Sequence, residues 1–316
     1  MIPGGIIPAR KTSAEATLLE QSYDWCTRVA KSQAKNFYYS FLLLPLPQRR
    51  AMCAMYAFMR YCDDLSDGAL SADDTDDGTG DGASVADRAA AIAAWRRDLD
   101  LALTGLAPEH PLWPAFVHAV KKYRIPHYYF FEMIEGVSSD LEPRRIRTFD
   151  ELYDYCYHVA SVVGLTIIHI FRFDDTEAPS ALVLAEKCGV AFQLTNILRD
   201  VREDLEKGRV YLPAEDLERF GVSFNDFTPT KHFRDLMEFE AKRAREYYRE
   251  SAPLIELIHP ESQASLRALI GIYSRLLDRI VASNFDVLAR RVRVPTWEKA
   301  WIVAKSQLRR GPTAAH

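Results

Sequence analysis

Five cysteines in 316 residues, Cys26, Cys53, Cys62, Cys156 and Cys188, are an odd number, with no close pair and no metal-ligand spacing. That excludes a disulfide framework and a cysteine-held zinc site, and it fits reduced core thiols in a cytoplasmic protein. The N-terminal "MIPGGIIPARKTSAEA" lacks the apolar core of a signal peptide. The longest apolar-rich stretch, "VASVVGLTIIHIF", is broken by Ser161 and His169 and falls short of the roughly 18 residues of a membrane span. No helical membrane anchor is expected, which leaves room for peripheral contact with the inner face of a membrane. There is no excess of basic charge. The net charge is −4, so no nucleic-acid partner is expected. Alternating strands with hairpin turns, an internal repeat and a glycine-rich dinucleotide fingerprint are also missing.

What is present is ordinary for a globular protein with a sizeable core: 48% hydrophobic and 27% charged residues. Long stretches carry helical periodicity, among them "SAEATLLEQSYDWCTRVAKSQ" and "SQASLRALIGIYSRLLDRIVASNFDVLARRV", with prolines between them. The fold class read from this is all-α, a helical domain over residues 20–305. Residues 1–19 read as a partly disordered N-terminal segment and 306–316 as a disordered tail. The acidic, glycine-rich "GALSADDTDDGTGDGASVAD", about 68–87, reads as a flexible surface loop.

Two acidic segments stand out. "YAFMRYCDDLSD" holds Asp63 and Asp67 four apart, and "NILRDVREDLEKGRVYLP" holds Asp200 and Asp204 four apart. Residues at that spacing share a helix face, where like charges repel. About six acid pairs at this spacing are expected by chance from 44 acids in 316 residues, so spacing alone is weak. Context adds weight, because both pairs end apolar stretches, and a carboxylate there needs a cation or a partner. Hard divalent ions take oxygen ligands and share them with substrate phosphates. Two such faces can hold Mg²⁺ around a diphosphate. Arg60, Arg199, Arg202, Lys207 and Arg209 are cations within reach of the same segments.

These segments resemble the two aspartate motifs of the squalene and phytoene synthases, the head-to-head prenyl synthases. "KNFYYSFLLLPLPQRRAMCAMYAF", "YDYCYHVASVVGL" and "IYSRLLDRIVASNFDVLARRVRVPTWEK" are similar to further family segments in the same order, over roughly residues 20–305. The resemblance implies the isoprenoid synthase fold, helices around a central cavity. It implies Mg²⁺, with Mn²⁺ as a substitute, on Asp63, Asp67, Asn196, Asp200 and Asp204. Arg60, Arg199 and Arg290 match family positions near the diphosphates, and Tyr155 and Tyr273 match tyrosines of the reaction cavity. Catalytic roles are thereby expected for Arg60, Tyr155 and Tyr273. The helical period places Gln193, Asn196, Asp200 and Asp204 on one stripe. Phe37, Phe41, Tyr56 and Phe192 offer aromatic faces to a carbocation. Val159 and Val163 are candidate walls for a prenyl chain, although their spacing equally describes ordinary helix packing. "QAKNF" departs from the family's His-Ser-x-Ser-Phe: Gln33 and Asn36 replace the His and the second Ser, and Lys35 is left as the cation of that segment.

The implied partners are prenyl diphosphates. The first expectation is condensation of two farnesyl diphosphates to presqualene diphosphate and on to squalene, with NADPH where squalene is the product. The runner-up is phytoene from two geranylgeranyl diphosphates. A non-catalytic assembly role fits poorly, since all four aspartates are intact. The oligomeric state has no signature in the sequence.

Overall fold

The computed structural model describes residues 13–34, 37–67, 84–106, 108–141, 145–223 and 230–308. Helices dominate: α1 (Ser13–Gln33), α2 (Tyr38–Phe41), α3 (Leu46–Asp67), α4 (Val85–Thr104), α5 (Trp113–Lys122), α6 (Tyr128–Ser139) and α7 (Phe149–Cys156). A π-helical turn (Tyr157–Ser161) joins α7 to α8 (Val162–Phe171). Then come α9 (Ala178–Glu206), α10 (Ala214–Phe220), α11 (Lys231–Ser251), α12 (Leu254–Leu257), α13 (Pro260–Ala282) and α14 (Thr296–Leu308). Among the described residues pairing of the β type is confined to two isolated bridges, Arg145 with Val210 and Phe173 with Ile258. Val210 lies in "RVYLP", the one β-like piece of the sequence. Helix extends past both ends of the 20–305 span. The acidic segment read as a surface loop lies, but for its last residues, outside the described residues.

Local chemistry sets several helix ends. Ser84 and Asp87 form a reciprocal capping box that opens α4, and Gly105 closes it in the left-handed region at φ 97°. Thr148 caps α7 through the Glu151 amide, and Thr230 caps α11 through that of Phe233.

The helices bury two adjoining apolar clusters. One gathers around Phe58, Trp95, Trp113, Phe116 and Phe130, and the other around Leu194, Leu198, Leu236, Met237 and Leu277. All five cysteines are buried free thiols, as expected. The joined rod α7–π–α8 (Phe149–Phe171) and the segment Asp175–Glu206 are long and apolar enough to cross a membrane. The apolar run alone had fallen short, and continuous helix supplies the missing length. About half of each rod's most apolar window is buried within the protein. The second rod also carries the Gln193–Asp204 polar stripe, so both read as core helices.

Close approach of α9 to the π turn depends on Gly189. A Cβ there would lie 2.5 Å from the Ser161 Cα and 2.8 Å from its amide nitrogen, backbone atoms that cannot swing aside. A Cβ added at Gly136 of α6 would lie 3.0 Å from the His158 backbone, on another side of the same turn. Gly189→Ala is expected to lower stability in urea unfolding by about 1–3 kcal/mol through overpacking. The ordinary helix gain from alanine, up to ~1 kcal/mol, acts against that cost. Unchanged or raised stability would contradict this packing.

Candidate active site

The helices enclose a cavity of about 1290 Å³. Asp63 and Asp67 reach it from α3, and Gln193, Asn196, Arg199, Asp200 and Asp204 reach it from α9. The two acidic segments meet directly: Asp67 lies 3.2 Å from Lys207 Nζ and 3.8 Å from Arg209 Nη1, both just beyond α9. The π turn and α8 supply Val159, Val163 and Ile167 to the wall, α6 supplies Met133 and Val137, and α13 supplies Tyr273 and Leu276.

Charge is crowded where the two segments face each other. Burial pushes the Asp63 carboxyl up to about 7; Arg60 pulls it down, while Asp67, Asp64 and Asp140 push it further up. Burial likewise lifts Asp204 to about 7, aided by Asp200 and Asp140 and opposed by Arg209 and Lys207. Asp200 is held by Arg199 Nε at 2.7 Å and by Arg291 Nη2 at 3.0 Å. Arg291 also reaches Glu203 at 3.1 Å. Arg60 pairs with Asp64 one turn on.

Phenols stand beside the carboxylates. Tyr155 Oη donates to Asp140 Oδ2 at 3.0 Å and Tyr211 Oη to Asp140 Oδ1 at 2.8 Å, with the two rings stacked 4.7 Å apart. Burial holds the Tyr155 phenol well above its ordinary value, so it stays protonated. Tyr273 is pushed up to about 12, chiefly by burial. Its ring stacks on Phe192 at 4.5 Å and tilts against Phe37 at 5.5 Å.

Of the residues expected from the sequence, the cavity brings together Phe37, Tyr56, Arg60, Asp63, Asp67, Tyr155, Val159, Val163, Gln193, Asn196, Arg199, Asp200, Asp204 and Tyr273, with Gln33 and Phe41. Lys35 and Asn36 lie outside the described residues. Arg290 is not brought in: its side chain is 74% exposed and pairs with Asp286 at 3.4 Å. The neighbouring Arg291 is the one turned inward. After α13 the chain takes a left-handed step at Asn284 and Phe285 (φ 55° and 58°) before the arginine pair, and spacing from α13 could not fix which arginine faces the cavity. Phe192 backs Tyr273 rather than lining the wall. Arg209, expected as a cation within reach, lines the cavity too. Asp140 and Tyr211 were not singled out: Asp140 follows α6 with no acid four residues away to make a pair, and only the fold carries it to the two motifs.

The donor set fits a hard divalent cation. The acids are oxygen donors carried on the wall of one cavity, and the Asn196 side-chain oxygen is buried with no hydrogen-bond partner. Among the described residues no three His, Cys, Asp or Glu side chains are close enough to hold a metal ion by themselves. That arrangement suits Mg²⁺, which keeps waters and shares its shell between one or two carboxylates and substrate phosphates.

Comparison with known proteins agrees with this geometry. The family model described as squalene/phytoene synthase matches residues 30–298. A 15-cis-phytoene synthase of Synechococcus elongatus is 34% identical over 316 residues, covering 96% of this chain and 98% of the relative. Phytoene synthase 1 of Arabidopsis thaliana, a chloroplastic protein, is 34% identical over 88% of this chain and 64% of its own length. A solved dehydrosqualene synthase with bound ligand superposes with a TM-score of 0.80 at 28% identity, covering 93% of this chain and 98% of that one. Squalene synthase HpnC from Alicyclobacillus acidocaldarius gives 0.74 at 27% identity, covering 85% and 96%. The fold is thus the all-α isoprenoid synthase fold. The chain belongs to the squalene/phytoene synthase family, whose members are prenyltransferases.

Proposed function

We propose that this protein joins two geranylgeranyl diphosphates head to head to give phytoene. The observation that carries the chemistry is the meeting of two aspartate stripes with Arg60, Arg199, Arg209 and Arg291 in a cavity that also presents apolar and aromatic walls, Phe37, Tyr56, Val159, Val163 and Tyr273 among them. The chain length is supported by near-full-length likeness to phytoene synthases. Likeness to the dehydrosqualene and squalene synthase structures supports a second reading, farnesyl diphosphate giving presqualene diphosphate and then squalene.

Asp63, Asp67, Asn196, Asp200 and Asp204 would hold Mg²⁺ or Mn²⁺, which when bound neutralises the departing diphosphate. The arginines orient the two diphosphates by paired hydrogen bonds. The C1–O bond of one substrate breaks, its electron pair leaving with diphosphate. The double bond of the other attacks the allylic cation, and loss of a proton closes a cyclopropyl diphosphate. A second ionisation releases the other diphosphate and opens that ring to a linear cation, and loss of a proton from it gives phytoene. Phenols kept protonated at Tyr155 and Tyr211 give Asp140 two donors, so its carboxylate is fixed as an acceptor beside the reacting diphosphates. The Phe37, Tyr56 and Tyr273 faces favour cationic character along the way.

Parallel incubations with farnesyl and geranylgeranyl diphosphate, each with and without NADPH, test the reading by mass spectrometry. Phytoene from the longer substrate, without need of NADPH, is the expected result. Squalene or presqualene diphosphate from the shorter one, with the longer left untouched, would establish the second reading instead. Val159 and Val163 belong to the same test. Each buried methylene is worth about 0.8 kcal/mol, so Val163→Phe is expected to shift preference toward the shorter substrate about tenfold or more. An unchanged preference would remove these valines from the chain-length wall.

A further inference from the structure

Helix α14 is inside out. Its inward side carries charge: Glu298 (7% exposed) accepts from Arg275 and, at 3.2 Å, from Arg279, and the neighbouring Lys299 (9%) lines the cavity. Its outward side is apolar. Trp297, Trp301 and Leu308 are 70%, 64% and 84% exposed, and the exposed Ala300 and Ala304 lie between them. At 100° per residue these five positions fall within one sector of the helix. In a water-facing helix the pattern runs the other way.

We propose that the outward face of α14 docks on a phospholipid bilayer containing anionic headgroups. Paired tryptophans with a leucine suit the headgroup boundary, where the ring is buried and the indole N–H stays wet. A 13-residue helix is about 20 Å long, too short to span roughly 30 Å of hydrocarbon and the right size to lie in the interface. The charge pattern fits the same occupant. The one acid of α14 is turned inward, and the exposed Lys305 borders the apolar sector. The chain as a whole carries −4, so attraction to an anionic surface must come from this local patch. Two tryptophans and a leucine offer a few hundred Å², roughly half of the ~800 Å² per partner that a stable protein interface buries.

Position gives the face a use. Residues Arg291–Thr296, leading into α14, line the cavity, and α2, which packs on α14, is followed by Leu42, exposed and also on the cavity wall. On the reading proposed above, the product is a long hydrocarbon with negligible solubility in water, and a bilayer beside the cavity receives it directly.

The test is sedimentation of the full-length protein with vesicles of phosphatidylglycerol and phosphatidylcholine. Wild type is expected to sediment with them, and Trp297→Ser/Trp301→Ser to partition at least about tenfold less with unchanged circular dichroism. Absence of wild-type binding, equal binding by the double variant, or a concentration-dependent dimer that the double variant loses would overturn the proposal. Binding is read without turnover, so a failure of the catalytic reading would leave this result standing.

Discussion

Replacing Asp63, Asp67, Asp200 or Asp204 one at a time by Asn is expected to lower turnover by about 10²–10³-fold. Asn keeps the shape and removes the negative charge a divalent ion needs. The same substitutions should leave the fold intact, and at Asp204 the change should raise the melting temperature at pH 8. Burial and the neighbouring Asp200 and Asp140 push the Asp204 carboxyl up to about 7, so ionising it in the folded protein is costly. Loss of function with gain of stability separates a functional acid from a structural one. EDTA should abolish turnover of the wild type. Full activity in EDTA, or variants that retain turnover, would contradict the site as described.

The second large effect lies away from the cavity. Arg243 on α11 donates to both oxygens of Glu240 at 2.8 Å and to Asp216 Oδ2 at 2.9 Å, and its guanidinium lies 4.1 Å from the Phe149 ring centre. Both acids are buried, and burial pushes Glu240 from its ordinary 4.5 up to about 7. A carboxyl raised in the folded state favours the protonated form. Its ionisation penalty is absent below about pH 4.5 and builds as pH rises through 7. Arg243→Met removes the cation that limits this penalty. It should cost about 3–5 kcal/mol in urea unfolding at pH 8 and clearly less at pH 5, where Glu240 holds its proton. An equal cost at both pH values would show that lost packing over Phe149 and Phe239, rather than uncompensated charge, dominates.

How far the sequence carried the account depends on whether a feature is local. Helical period and proline punctuation are local, and they yielded the all-α class. The stripe from Gln193 to Asp204 follows from the 3.6-residue repeat once α9 is known to be one helix, and all of its members reach the cavity. Asp140 depends on where α6 ends relative to α3 and α9, which no spacing encodes. Arg290 and Arg291 are adjacent, and the left-handed step before them decided which one faces inward. The π turn at Tyr157–Ser161 leaves no plain mark in "YHVAS", and glycines remote in sequence, Gly136 and Gly189, make room for it. The outward tryptophans of α14 were in plain view as letters, but a tryptophan at helical spacing reads as core until the neighbouring helices show which side is covered.

The central claim is that the facing aspartate stripes serve head-to-head condensation. It is tested most directly by counting diphosphate released against product formed when the purified protein meets a single allylic diphosphate and Mg²⁺. The account predicts a product with twice the carbon number of the substrate. It predicts two diphosphates released per linear hydrocarbon, or one where the reaction rests at the cyclopropyl diphosphate. An alcohol of unchanged chain length with one diphosphate per substrate, or no diphosphate release at all, would contradict it.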